Sequence, residues 1–286
     1  ESTIRRVPPN LLVSLSYDMR APTFGAPPKD LYVAAVEQSS WADKLGFTYV
    51  HLPEHHASTD GYLPSPIVLA SAIAGVTETL LINLRVILLP LYHPIKLAED
   101  LAVLDLIASG RLRITVAAGY REEEYDQFDI NIRRRPSLME EGIAVLRQAW
   151  TGEPFEWRGH TIRVLPRPAQ RPYPELIMGG ASIASARRAA RIADGYQALN
   201  SRYYEAYLEE LATLGKPVPA LKEWRGAGLF FHIALDPEEA WARIAPHALH
   251  ETNDYAAWAA GRMPEMPYKT FETADALRAS GIYEIV

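Results

Sequence analysis

The feature that most constrains this chain is alternation: short apolar or β-branched runs recur between amphipathic stretches of helical period. Asn10–Tyr17 predicts a strand. Asp30–Leu45 predicts a helix, with Leu31, Ala34, Ala35, Trp41, Ala42 and Leu45 on one face and Gly46 as its stop. Phe47–Leu52 predicts the next strand. Ser65 caps a helix with Pro66 at its first position, running to about Val76. Leu81–Leu89 is mostly apolar, as a strand buried on both faces is. Pro94–Ala108 predicts a helix followed by Gly110, Arg113–Ala118 a strand, and Glu140–Trp150 a helix. Glu175–Met178, Gly195–Leu199 and Gly228–Ala234 are three further strands, each followed by helical pattern. Such βαβα alternation implies a parallel sheet. Its repetition favours a closed TIM barrel, (β/α)8, over an open doubly wound sheet. Phe155–Pro166 reads as an inserted hairpin, and Pro166, Pro168, Pro172 and Pro174 as a Pro-rich approach to the next strand. Both belong to one excursion within a single domain spanning 1–286.

Composition excludes several classes. The chain has 286 residues, 48% of them hydrophobic and 22% charged, which is enough for a large core. Its net charge of -6 argues against a broad nucleic-acid surface, which needs a clustered basic excess. It contains no cysteine, so disulfides and thiolate chemistry are excluded; this suits a cytoplasmic setting. No apolar run reaches the roughly 20 residues of a membrane span. Residues 1–6 do not resemble a signal peptide.

Four local patterns could carry chemistry. Glu54-His55-His56 directly follows the second strand, at the strand end where barrel active sites sit. With His51 it also spells H-x-x-E-H, a zinc pattern that requires a helix. Pro53 opposes that helix, at a cost of about 3 kcal/mol, so zinc is disfavoured and no metal is expected. The plain alternative is a pair of histidines satisfying loop backbone groups. Met178-Gly179-Gly180-Ala181-Ser182-Ile183-Ala184-Ser185 joins a strand to a helix. Its glycines admit close approach, and helix-start amides with the Ser182 and Ser185 hydroxyls favour an anion. Equally, it reads as a Ser-capped junction without a ligand. Ala117-Ala118-Gly119-Tyr120 follows the fourth strand. Its small residues leave room for something flat, with Tyr120 and Tyr125 able to flank it; the plain reading is a turn before a short acidic helix with a solvated face. Arg85 interrupts an apolar strand and needs a partner, or solvent if that strand lies at an edge. Arg133-Arg134-Arg135 reads as a solvated approach to a helix.

An ordered series of motifs then becomes recognisable. It runs Trp41-Ala42-Asp43-Lys44-Leu45-Gly46-Phe47, Leu52-Pro53-Glu54-His55-His56, Pro64-Ser65-Pro66 and Leu89-Pro90-Leu91-Tyr92-His93-Pro94. It continues through Ala98-Glu99-Asp100, Leu104-Asp105, Ser109-Gly110-Arg111, Gly119-Tyr120-Arg121 and Gly179-Gly180 to Ala193-Asp194-Gly195. This series resembles the bacterial luciferase-like monooxygenases, over roughly Asn10 to Leu199. The resemblance implies a barrel that binds flavin at the C-terminal ends of its strands, with the phosphate on Ala181, Ser182 and Ser185. It implies a non-prolyl cis peptide at Arg85–Val86 beneath the flavin ring. It maps the family's active-site histidine to His55. Ala118 stands where luciferases carry an arginine for the flavin phosphate, a departure from the family pattern. Arg85, Val86, Ala118, Gly119, Tyr120, Gly179, Gly180, Ala181, Ser182 and Ser185 are thus the expected cofactor-binding positions, and His55 the catalytic one.

The implied activity is a two-component monooxygenase. Reduced FMN from a separate flavin reductase would react with dioxygen to oxidise a small organic substrate, with His55 as acid or base. A deazaflavin coenzyme with hydride transfer is the alternative, for which Arg133–Arg135 could hold extra carboxylates. FMN is preferred because Glu54-His55-His56 looks closer to the oxygen-using branch. A non-catalytic partner subunit is a third reading, and a homodimer is compatible with each. The family would continue past Val286 with a helix, an eighth strand and a last helix, so a longer native chain is expected.

Overall fold

The computed structural model describes Val7 and residues 11–219, 230–263 and 268–285, in two compact units, Glu1–Pro219 and Ala220–Val286. The first unit alternates β1 (Ser14–Ser16), α1 (Pro28–Leu45), β2 (Tyr49–Leu52), α2 (Pro66–Ala74), β3 (Leu81–Leu88), α3 (Pro94–Ile107) and β4 (Leu112–Ala117). There follow α4 (Glu122–Gln127), α5 (Arg135–Ala149), a hairpin of β5 (Phe155–Trp157) and β6 (His160–Ile162), then β7 (Leu176–Gly180), α6 (Ile183–Ile192), β8 (Gly195–Ala198) and α7 (Ser201–Thr213). Six strands form one sheet in the order β1-β2-β3-β4-β7-β8, every neighbouring pair parallel. Strand-helix alternation in sequential order is the wall of a (β/α) barrel. In the second unit, β9 (Phe230–His232) pairs in parallel with β10 (Tyr283–Ile285), and α8 (Pro237–Ala259) and α9 (Ala274–Ala279) lie between them in sequence. Trp241, Ala245, Ala248 and Leu277 are buried together there. Among the described residues, no helix is long and apolar enough to cross a membrane.

Alternation along the strands divides the two faces of the sheet. Val50, Leu52, Ile82, Leu84, Ile114, Val116, Leu176 and Met178 are buried. His51, Asn83, Arg85 and Thr115 occupy the alternate positions, facing the other way. His51 is the cross-strand neighbour of Asn83, and Arg85 of Thr115.

Most boundaries fall within two residues of those expected from the sequence. Two elements differ more. β1 is only Ser14–Ser16; residues 11–13 lie outside it, and Asn10 lies outside the described residues. α5 begins at Arg135, five residues before Glu140, because Pro136 fits a first helical turn, where its missing N–H costs nothing. Ser65 does stand at the N-cap of α2, but its side chain makes no capping bond. The strand expected over Gly228–Ala234 is observed at Phe230–His232, with residues 228–229 outside the described set. The inserted hairpin is where the sequence places it. It is fastened through Glu141, which accepts hydrogen bonds from Trp157 Nε1 at 3.0 Å and Arg158 Nε at 2.9 Å.

Acidic and basic motif residues tie the N-terminal ends of the strands together. Asp43, at the end of α1, accepts from the amides of Glu78, Thr79 and Leu80 and from the Thr79 hydroxyl, at 2.6–2.9 Å. Arg111 donates to the carbonyls of Ala74, Thr77 and Leu80. Asp105 accepts from the backbone and side chain of Gln170, and Asp194 from the Leu176 amide and Arg147. Burial pushes the Asp43 carboxyl up, but the four donors outweigh it and hold it below its ordinary 3.8. Its stabilising effect is therefore full above the unfolded-state value and is lost as pH falls through the folded-state value. Asp43→Ala should lower unfolding free energy by about 2 kcal/mol near neutral pH, the scale of hydrogen bonds to a charged group. In urea titrations the gap from wild type should begin to narrow as pH falls below the ordinary aspartate value of about 4 and close as it passes the lower folded-state value.

Candidate active site

The loop after β2 carries Glu54, His55 and His56, and each side chain is held from a different direction. Glu54 is 1% exposed. Its Oε2 accepts from the Leu88 amide at the end of β3 (2.8 Å), and its Oε1 from the Tyr92 hydroxyl (2.6 Å). His56 Nε2 lies 2.8 Å from the same Oε1. Burial and then the adjacent Glu54 charge push the Tyr92 hydroxyl well above the ordinary phenol range, so it remains a donor. Glu54 therefore locks the β2 loop to the end of β3.

His55 turns the other way, toward α4. Its Nδ1 is 2.6 Å from Glu124 Oε1. The same oxygen accepts from the His56 amide at 3.1 Å and from Arg121 Nη1 at 3.4 Å. Arg121 also donates to the His56 carbonyl at 2.8 Å. Glu124 is fully buried and Arg121 is 4% exposed. The His55 ring meets Tyr62 edge-on at 4.9 Å and Tyr120 at 6.0 Å.

Next to this cluster the carboxyl ends of β4 and β7 are stripped of bulk. Ala117 ends β4 and Ala118 and Gly119 follow it, while Gly179 and Gly180 end β7. A Cβ on Gly179 would lie 3.5 Å from Val86 and 3.6 Å from Ala117, so these three positions share one face. A Cβ on Gly119 would lie 3.3 Å from Leu88 and 3.7 Å from Glu124 Oε2, which places the small residues beside the His55–Glu124 pair. The Arg85–Val86 peptide is cis, as the resemblance implies. With nothing larger than a methyl group on Ala117, Gly119 and Gly179, these positions leave space that a planar ring could take. At α6, Ser182 and Ser185 cap each other: Ser182 Oγ accepts from the Ser185 amide, and Ser185 Oγ donates to the Ser182 carbonyl. The remaining first-turn amides have no helical acceptor and suit an anion.

Several sequence expectations need correction here. β3 lies between β2 and β4, so Arg85 is not on an edge strand. Its charge, after burial, helps push His51 down to about 4. His51 lies on a strand and residues 53–56 are irregular, so H-x-x-E-H does not form the helical face a zinc motif needs. Glu54 pairs with His56, while His55 pairs with Glu124. The two histidines thus serve carboxylates rather than loop backbone. Tyr125 does not flank a flat site: it is buried with Leu88 and Leu91, and its hydroxyl donates to the Ala118 carbonyl. Arg135 is not merely solvated, since it donates to the Gly119 carbonyl at 3.2 Å. Glu124 was hidden within an acidic run that reads as a solvated face. Only spacing betrays it: Arg121, Glu124 and Tyr125 stand three and four apart, on one helical face.

This fold is that of an α/β-barrel protein in which small-residue strand ends lie beside a carboxylate-held imidazole. Comparison with known proteins makes the assignment specific. The luciferase-like monooxygenase profile matches residues 19–281, and the chain belongs to that family. It is 28% identical over 155 residues to the oxygenase component of a flavin-dependent trigonelline monooxygenase from Acinetobacter baylyi, covering 52% of this chain and 43% of that protein. It is 30% identical over 190 residues to an FMNH2-dependent dimethylsulfone monooxygenase from Pseudomonas putida, covering 58% and 52% respectively. The monooxygenase RslO1 from Streptomyces bottropensis has the same fold, with a TM-score of 0.72 at 23% identity over 88% of this chain and 80% of that one. The matches span about half the length of the curated relatives.

Gly180 supplies a structural test of the loop. A Cβ there would lie 2.4 Å from Ser185 Oγ and 2.7 Å from Ser185 Cβ. Gly180→Ala should therefore destabilise by about 1–3 kcal/mol, the usual cost of overpacking. Adding Ser185→Gly should recover part of that loss in thermal melts, although it removes one hydroxyl from the cap.

Proposed function

We propose that the protein is the oxygenase component of a two-component flavin-dependent monooxygenase. It takes reduced FMN from a separate reductase and acts on a small organic substrate. The observation that carries this reading is the bulk-free surface of Ala117, Gly119 and Gly179 beside a half-buried, hydrogen-bonded imidazole. The FMN and two-component choices are supported by the names of the trigonelline and dimethylsulfone relatives. Reduced flavin, when bound, supplies the electrons for reaction with dioxygen.

The chain's own residues then have distinct tasks. Arg85–Val86 and Gly179 form the floor for the ring, and Ala118, Gly119 and Tyr120 its edge. The Gly180–Ser185 turn, with Ala181, Ser182 and Ser185, takes the phosphate through helix-start amides and a capped serine pair. This division assigns no charged contact to Ala118; the amides of the α6 turn carry the anion instead. Tyr62 and Tyr120 shield His55 from bulk water. His55 holds and moves the proton of the oxidation step as its acid or base.

Calorimetric titration under anaerobic conditions tests the cofactor. Reduced FMN should bind, and the deazaflavin coenzyme should not compete with it. Tight deazaflavin binding with no FMN binding would overturn the assignment. His55→Ala should slow the return of flavin absorbance after mixing the reduced complex with dioxygen, or uncouple it from product, by roughly 100- to 10,000-fold. Reduced-FMN affinity and melting temperature should stay near wild type. A lower melting temperature with unchanged flavin kinetics would instead make His55 a folding residue.

A further inference from the structure

We infer that Glu124 is a positioning residue that fixes the tautomer of His55, with the proton on Nδ1 and the proton-accepting lone pair on Nε2. Three groups converge on one oxygen, Glu124 Oε1: His55 Nδ1 at 2.6 Å, the His56 amide at 3.1 Å and Arg121 Nη1 at 3.4 Å. An amide N–H and a guanidinium N–H can only donate. In the carboxylate Oε1 only accepts, so the nitrogen facing it carries a hydrogen. That hydrogen makes Nδ1 the donor of the neutral ring and leaves the lone pair on Nε2.

The surroundings hold this arrangement in place. Glu124 is fully buried on α4, and its Oε2 has no hydrogen-bond partner among the described residues, so the bonds that hold the carboxylate run through Oε1. A Cβ on Gly119 would lie 3.7 Å from Oε2, so the second oxygen faces the backbone of the small-residue segment. Arg121 reaches both Glu124 and the carbonyl of His56, tying α4 to the loop that carries the imidazole. The His55 amide is itself bonded to the Leu63 carbonyl at 3.2 Å, and Tyr62 meets the ring edge-on. Ring position and ring tautomer are thus set by one buried oxygen. This inference rests on the proposed acid–base role of His55 and adds the atom: Nε2 takes up the proton when His55 acts as a base, and surrenders it when the imidazolium acts as an acid.

The test is nitrogen-15 NMR of the histidine side chains in the full chain, in alkaline buffer where imidazole rings are neutral. The His55 signals are identified by their loss in His55→Gln. Wild type should show a protonated Nδ1 and an unprotonated Nε2 at His55. Glu124→Gln, whose amide oxygen can take the place of Oε1, should retain that pattern. Glu124→Ala should shift the population toward the Nε2–H form that a free imidazole prefers. A wild-type spectrum with Nε2 protonated, or an unchanged tautomer in a folded Glu124→Ala, would overturn the inference. If Glu124→Ala does not fold, the wild-type and Glu124→Gln spectra decide alone. No flavin is needed, so failure of FMN binding and failure of this inference give separate results.

Discussion

A carboxylate wholly or partly removed from water needs hydrogen-bond donors around it, and this requirement organises both ends of the sheet. At the amino ends of the strands, Asp43 gathers three amides and a hydroxyl, Asp194 an amide and a guanidinium, and Asp105 the backbone and side chain of Gln170. At the carboxyl ends, Glu54 gathers an amide, a phenol and an imidazole, and Glu124 an imidazole, an amide and a guanidinium. In each case at least one donor comes from a segment distant in sequence from the carboxylate, so satisfying the charge also fixes one segment against another.

The two ends use the same chemistry for different purposes. At the amino ends the ties connect helix termini to strand starts, and little else is left to do there. At the carboxyl ends the ties lie to one side, around the β2 loop and α4. That arrangement lets β4 and β7 finish in alanine and glycine without loosening the barrel, because the loops are already anchored elsewhere. The open floor and the pinned imidazole are therefore one construction: the carboxylates hold the loops, and the strand ends are spared that work.

Much of this was legible in the residues. Period and punctuation located the six parallel strands, the helices between them and the β5–β6 excursion, because burial on both faces of a parallel sheet leaves near-continuous apolar runs. The motifs that carried the family resemblance turn out to be the ties themselves: Asp43, Asp105, Arg111 and Asp194 bond loops together, and Glu54 locks β2 to β3. What could not be read was pairing across the fold. Glu124 lies 69 residues from His55, and its neighbours Glu122 and Glu123 are exposed, so the run as a whole reads as solvated. Tyr125 misled for a related reason: its position after a strand end suggests a ligand wall, but helical rotation turns it into the apolar cluster with Leu88 and Leu91.

His51 has a consequence of another kind. Burial and the nearby Arg85 charge press its imidazole down to about 4 from an ordinary 6.5. An unfolded chain would accept a proton at this position in mild acid, whereas the folded barrel refuses it until the medium is far more acidic. Between those two values, unfolding is accompanied by net proton uptake, worth about 1.4 kcal/mol for each pH unit crossed at a single site. The stabilisation is complete above about pH 6.5 and declines as pH falls toward 4. A side chain with no proposed part in catalysis thus makes the barrel's persistence a function of the proton activity around it.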